Sequence, residues 1–267
     1  MSAEDNIKIN TLKNEIRRQL ASHPTLSGMI GIEIPISWQE IRIKLKQLKD
    51  EFDQHELSKP DYTRLCTEEG IDEKSSGVLL EYMHVTGDVF FYTESERLND
   101  TIIIDPKWAL DRIYELLDDE IAASGKNSPG EFTINRVHQK LERFSEDKRL
   151  DILELLKKFE LIFEKPEDPE TFIAPQYLPE KPDQAKFNNL WDSNEDPILV
   201  YKYPKYVHPS IMVQFMSRFG EFSEPLNYWK NGIILRKNGV RVLVEHPKNS
   251  LKVTVTVEKR NFCPIRI

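Results

Sequence analysis

Apolar and polar positions repeat one pattern twice in the first two thirds of the chain. From Leu79 to Trp108 the pattern reads as a helix end, an apolar run Val89-Phe90-Phe91-Tyr92, a polar turn, a second apolar run Thr101-Ile102-Ile103-Ile104, and a new helix. The turn carries Glu94, Glu96, Arg97, Asn99 and Asp100. Two short β-rich runs split by polar turn residues predict a hairpin. Asp105 is placed to cap the next helix, and Pro106 fits its first position, where a missing N–H costs nothing. The pattern returns from Ile152. A helix ends at Leu156, Phe159 to Phe163 predicts a strand, Lys165 to Glu170 a polar turn, and Thr171 to Ala174 a strand before Pro175. Helices followed by a hairpin, twice over, predict two winged-helix-like units in tandem.

Around these units the helical spacing is clear. Leu12, Ile16 and Leu20 fall on one face of a short amphipathic helix over residues 11–21, which needs another surface to lie on. His23-Pro24 ends it, and Gly28 to Pro35 reads as a loop or short strand. Ser37-Trp38-Gln39-Glu40 has the spacing of a capping box. Ile41, Leu45, Leu48 and Phe52 then form one stripe, with Trp38 and Arg42 beside it. Ser58-Lys59-Pro60-Asp61 opens a helix bearing Tyr62, Leu65 and Cys66. Gly70 ends that helix in the left-handed position, with Ile71 packing behind. A third helix over 73–84 leads into the first hairpin. Pro106 to Ala122 is a helix with Trp108, Ile113, Leu116 and Leu117 inward, and Ser124 to Gly130 an exposed loop. Thr133 caps a helix that buries Val137 and Leu141, and 147–158 forms the next.

Pro175 to Leu190 has three prolines and little pattern, and reads as a domain linker. Beyond it the texture turns to β. Ile198 to Tyr203 predicts a strand, and Pro209 to Phe219 a helix bearing Ile211, Phe215 and Phe219. Asn231-Gly232 and Asn238-Gly239 are hairpin turn signals. Val240, Val242 and Val244 alternate, as do Leu251, Val253, Val255 and Val257, the period of a half-buried strand. The fold class is therefore α+β: a mostly helical N-terminal part with two helix/hairpin units, then an antiparallel β-meander packed with a helix.

Charge sharpens the division. The 267 residues carry a net charge of −8. From Ile198 to Ile267 there are 12 Lys/Arg against 4 Asp/Glu, a net of +8; the first 197 residues hold 25 against 41, a net of −16. A basic block joined to an acidic one suggests that the two attract, within one chain or between chains. No apolar run approaches the roughly 18–20 residues of a membrane span. Met1 to Asn10 lacks the apolar core of a signal peptide. Cys66 and Cys263 form no metal or redox spacing, so a reducing, cytoplasmic setting is expected.

No constellation for chemistry emerges. Gly125-Lys126 is the one Gly-Lys pair, but a phosphate loop would need Gly where Glu120 stands and Ser or Thr where Asn127 stands. There is no Gly-x-Ser-x-Gly elbow. The six histidines are scattered, with no i, i+4 pair of a zinc site. No catalytic residue, cofactor site or metal site is expected. A nucleic-acid-binding winged-helix protein with a basic C-terminal sheet is the alternative. Against it, the third helix of the first unit carries Asp72, Glu73 and Glu81 beside Lys74, and both hairpin turns are acid-rich, where phosphate contact needs Lys and Arg.

The assembled motifs resemble one family: the COR domain, the segment that follows the Ras-like Roc GTPase in Roco proteins, a group that includes the leucine-rich-repeat kinases. They are Ile34-Pro35-Ile36-Ser37-Trp38 with Ile41-Arg42 and Leu45; Tyr62 with Leu65-Cys66 and Gly70-Ile71; Leu79-Leu80 with Tyr82-Met83-His84; Asp100 through Pro106 with Trp108; Gly130-Glu131-Phe132-Thr133; Lys158-Phe159-Glu160-Leu161; and Pro175-Gln176 with Leu178-Pro179. The resemblance implies a linker helix from Roc over 1–30, a COR-A part over 31–180 and a COR-B part over 181–267. It implies no catalysis in this segment. It implies a homodimer formed chiefly through COR-B, coupled to the Roc GTPase of the same protein and to its GTP/GDP state, with nucleotide and magnesium held on Roc. The family places a Roc-facing tyrosine in the stretch of Tyr201, Tyr203 and Tyr206, and Tyr203 is the choice here. Phe215, Arg218 and Phe219 on the following helix, with Trp38 and Arg42, complete the candidate interface. Alternation predicts that Tyr201 and Tyr203 share one fate, core or partner. Arg260 to Ile267 stops where the family continues into further helix, so an excised segment is expected.

Overall fold

The computed structural model describes residues 8–23, 33–117, 129–166, 168–191 and 196–258, with backbone alone at 224–226. They fall into two compact units: Met1–Phe91 with Thr101–Ile104, and Tyr92–Asp100 with Asp105–Ile267.

The first unit comprises α1 (Ile9–Ser22), α2 (Ile36–Phe52), β1 (Glu56–Ser58), α3 (Lys59–Glu68), α4 (Glu73–Thr86) and β2 (Thr101–Ile103). β1 pairs antiparallel with β2, Leu57 opposite Ile102, and Phe90 makes an isolated bridge to Ile103. The expected hairpin is thus reduced to one bridge, and the main partner of Thr101–Ile103 is a strand that the pattern missed. Three residues are too few to display alternation. Ile41, Tyr62, Cys66, Leu79, Met83 and Ile102 form the core. The Tyr62 hydroxyl donates to the Ser76 carbonyl at 3.0 Å, and burial pushes its pKa up, so it stays a neutral donor.

Caps fall only partly where expected. Ser58 accepts from the Asp61 amide and Asp72 from the Ser75 amide. Gly70 has φ +72°, with the Ile71 amide donating to Cys66 O. Ser37 is not a cap: α2 begins one residue earlier, Pro35 is its N-cap, and no side chain caps it. The Pro35 carbonyl accepts from the Trp38 amide at 3.0 Å instead. Phe52, expected to complete the α2 stripe, is 70% exposed, while Ile41 and Leu45 are buried and Leu48 partly so.

The second unit begins with α5 (Pro106–Leu117), β3 (Glu131–Thr133), α6 (Ile134–Lys140), α7 (Glu146–Lys158), β4 (Phe163–Lys165) and β5 (Asp168–Ile173). The Trp108 amide donates to Asp105 Oδ1, as the cap reading requires. Thr133 holds the N-cap position of α6 without a side-chain bond. Residues 118–122 of the expected helix, and all of the 124–130 loop but its end, lie outside the described residues. The sheet runs β3-β5-β4. Its element order matches that from α2 to β2 in the first unit: helix, strand, two helices, then two extended segments, with the first strand paired to the last. Phe159–Ile162 is not strand. The Phe159 and Leu161 amides donate to Leu155 O and Leu156 O, finishing α7, and Glu160 takes φ +56°. The turn is shorter than expected, because β5 already begins at Asp168.

A 3-10 turn (Pro175–Tyr177), α8 (Gln184–Leu190), β6 (Leu199–Lys202), α9 (Ser210–Phe219), β7 (Ser223–Trp229), β8 (Gly232–Lys237), β9 (Val240–Glu245) and β10 (Lys252–Val257) follow. The sheet is fully antiparallel in the order β6-β10-β9-β8-β7. Neighbouring strand residues point to opposite faces, and β8 shows why it is apolar in a row. Ile233 packs with Met212 and Met216 of α9, and Ile234 with Trp191 and Trp229. The stretch read as a patternless linker therefore contains structure: Pro175 and Leu178 are buried, and Phe187 of α8 packs edge-on against Trp229. A seven-residue helix is too short to display its period. On α9 the inward residues are Met212 and Met216, flanked by Ile211 and Phe215, whereas Phe219 is largely exposed.

Candidate interaction surfaces

Trp38 and Arg42 lie one helical turn apart on α2. Trp38 stacks obliquely on Tyr82 at 5.8 Å and packs against the first core. Arg42 donates to Asp88 at 2.9 Å. Asp88 also accepts from Thr86 Oγ1, and its own amide donates to Met83 O, just past Gly87 in the left-handed C-cap of α4. Arg42 thus ties α2 to the end of α4 and is engaged within its own unit. The same helices carry apolar side chains that pattern reading did not single out: Ile36 and Ile43 on α2, Val78 and Val85 on α4, each pair two turns apart and each residue exposed. Ile43 stands in Ile41-Arg42-Ile43-Lys44-Leu45, where apolar residues alternate; the surplus of apolar faces over one helical stripe was the available signal.

In the second unit Tyr201 and Tyr203 part company. Tyr201 lies on β6 opposite Val253 and is 55% exposed, whereas Tyr203, just past the strand, packs against the α9 core. The Tyr203 amide still donates to Leu251 O at 2.8 Å, in register with β6, so the two tyrosines share a face of the sheet and differ in what packs over them. Tyr206 is exposed and meets the His208 ring edge-on. Phe215 and Phe219 stack at 4.9 Å. Arg218 pairs with Glu160, and Ser217 Oγ donates to Ile162 O at 3.0 Å, which pins α9 to the end of α7. β6 stands at one end of the sheet among the described strands. Ile198, Leu199, Val200 and Tyr201 are all exposed along it, Ile198 at 70%. The structure brings Tyr203, Phe215, Arg218 and Phe219 together around α9; Trp38 and Arg42 belong to the other unit.

Among the described residues, no group of three or more His, Cys, Asp or Glu could hold a metal ion, and no helix is long and apolar enough to cross a membrane. Gly125-Lys126 lies outside the described residues.

The family model "C-terminal of Roc, COR-A domain" matches residues 35–178, and "C-terminal of Roc, COR-B domain" matches residues 195–263. The chain belongs to the COR family. Its COR-B match contains the five-stranded sheet and α9, and its COR-A match both helix–strand repeats. Curated relatives are distant. A Roc-COR-CHAT protease of Runella zeae is 24% identical over 208 residues, covering 78% of this chain and 21% of that protein. The probable serine/threonine-protein kinase roco7 of Dictyostelium discoideum is 24% identical over 180 residues, 63% of this chain and 6% of that protein. The chain therefore spans about a fifth or less of the relatives that it matches. A solved structure of Methanosarcina barkeri Roco2 RocCORdC bound to GDP is similar at TM-score 0.47 and 23% identity, covering 66% of this chain and 52% of that one.

Proposed function

We propose that this chain is the COR module of a Roco protein, acts without chemistry of its own, and joins neighbouring protein. COR-B would join two copies, and the module would couple them to the Roc GTPase domain of the same protein, where nucleotide and magnesium would sit. We place the COR-A/COR-B junction near residue 180 and the module in the cytoplasm. We read the repeated helix–strand units as winged helices turned to protein contact.

One observation carries this reading. β6 is an edge strand among the described strands, and Leu199, Val200 and Tyr201 are exposed on it ahead of a single charge, Lys202. Such an edge offers unpaired N–H and C=O groups to another strand unless charge or proline blunts it. Two copies meeting β6 to β6 would satisfy both edges under a two-fold axis. Tyr203 with Phe215, Arg218 and Phe219 is the surface left for Roc.

The test is GTP hydrolysis by the purified Roc domain of the same protein, with and without this chain. Addition should change turnover several-fold, and Tyr203→Cys should weaken the Roc affinity while this chain still melts cooperatively. Unchanged turnover at saturating COR would contradict the coupling. The nucleic-acid alternative is weakened by α4, whose first turn and cap hold Glu73 and Asp72. A low-salt titration with duplex DNA should give no binding.

A further inference from the structure

A cleft of about 730 Å³ opens in the second unit, within the range of about 300–1,000 Å³ typical of small-molecule sites. Its inner wall is apolar: Leu110, Ile113 and Leu117 from α5, with Leu161, Val207 and Val213. The spacing of 110, 113 and 117 puts one face of α5 against it. The core reading of α5 accounts for Ile113 and Leu117, but not for an open cavity beside them.

The mouth has a different chemistry. Lys230, Lys248 and Glu180 stand at it. Lys248 holds the Glu180 carboxylate at 2.6 Å, and Lys230 and Lys181 add their positive charge to the same group. Of the charged residues that line the cleft, Lys230 and Lys248 outnumber Glu180, so the mouth is net cationic. His208 lines the same cleft, its Nδ1 accepting from the Ser210 amide at 3.2 Å. Gln176 lines the cleft too, and its Oε1 is buried with no hydrogen-bond partner among the described residues. An apolar pocket with a few polar groups at one end fixes the orientation of an amphiphile, tail in and head out.

We propose that this cleft binds a free anionic amphiphile of the class of a medium-chain acyl carboxylate, its chain against α5 and its carboxylate between Lys230 and Lys248. The occupant follows from charge and shape together: an apolar wall selects a chain, and a net cationic mouth selects an anion over a neutral or cationic head. The inference is independent of the coupling to Roc.

Calorimetric titration of the full 267-residue chain with decanoate tests it, with decanol and decylamine as matched probes and anionic vesicles as a separate arm. Decanoate should bind with one site, about tenfold tighter than decanol, and decylamine should not bind. Lys230→Glu is at the surface and leaves the core alone; it should erase the preference for decanoate. Val213→Trp should block the cleft and abolish binding of the chain. Equal binding of decanoate and decanol would overturn the proposal, as would decanoate affinity unmoved by Lys230→Glu. Binding to vesicles without binding to monomeric decanoate would mark a membrane surface instead and overturn it too.

Discussion

At the residue scale, two positions show how tightly COR-B is built. A Cβ on Gly220 would lie 2.2 Å from Cδ2 of the buried Phe163 ring, and one on Gly232 2.2 Å from Cζ2 of Trp229. Neither glycine is forced by local turn chemistry alone. Asn231-Gly232 marked the turn one residue late, since Lys230 and Asn231 make it and Gly232 opens β8 opposite Trp229; Gly220 carried no signal, because its constraint comes from a ring 57 positions earlier. Gly220→Ala should destabilise the protein by about 1–3 kcal/mol, the usual cost of overpacking, measured by urea unfolding. Glu245 presents an electrostatic case. Burial raises its carboxyl pKa above the ordinary 4.5. The folded form then keeps a proton that the unfolded chain has lost, so stability falls as pH rises from 4.5 through the folded value. Glu245→Gln should raise the melting temperature at neutral pH, and the two proteins should melt alike below the unfolded pKa.

At the element scale, what was legible depended on length and repetition. α2, α3, α4 and α5 are long enough to show an apolar stripe, and β8 and β9 are linked by Asn238-Gly239, both at positive φ. β1 and α8 are three and seven residues long; each is held by tertiary contacts, Leu57 by Ile102 and Phe187 by Trp229. Cap signals were less dependable. Ser145 accepts from the Lys148 amide and caps α7, but Ser37, with the better sequence motif, lies inside α2 because Pro35 starts that helix earlier. Ser145→Ala should therefore cost about 1 kcal/mol, whereas Ser37→Ala should stay within about 0.5 kcal/mol. Urea titrations of both variants would separate a real cap from an apparent one. The candidate surface followed the same rule. Tyr201, Tyr203, Phe215 and Phe219 were visible as aromatics, but that Tyr203 and Phe215 are half-buried and Tyr201 and Phe219 exposed followed from the packing of α9 on the sheet.

At the scale of the whole molecule, the charge asymmetry marked a module of two parts. The COR-A and COR-B matches give that module its family. The place of β6 at one end of the described sheet was not legible in the sequence. Ile198-Leu199-Val200-Tyr201 reads as an ordinary buried strand, and only the sheet order puts it at the rim. Self-association through that edge is the central claim. Sedimentation equilibrium across the micromolar range, on the wild type and on Val200→Lys, tests it most directly. The wild type should shift with concentration from the monomer mass of 31.3 kDa towards twice that mass, and Val200→Lys should remain monomeric. A wild type that stays monomeric throughout, or a lysine variant that associates just as well, would contradict it.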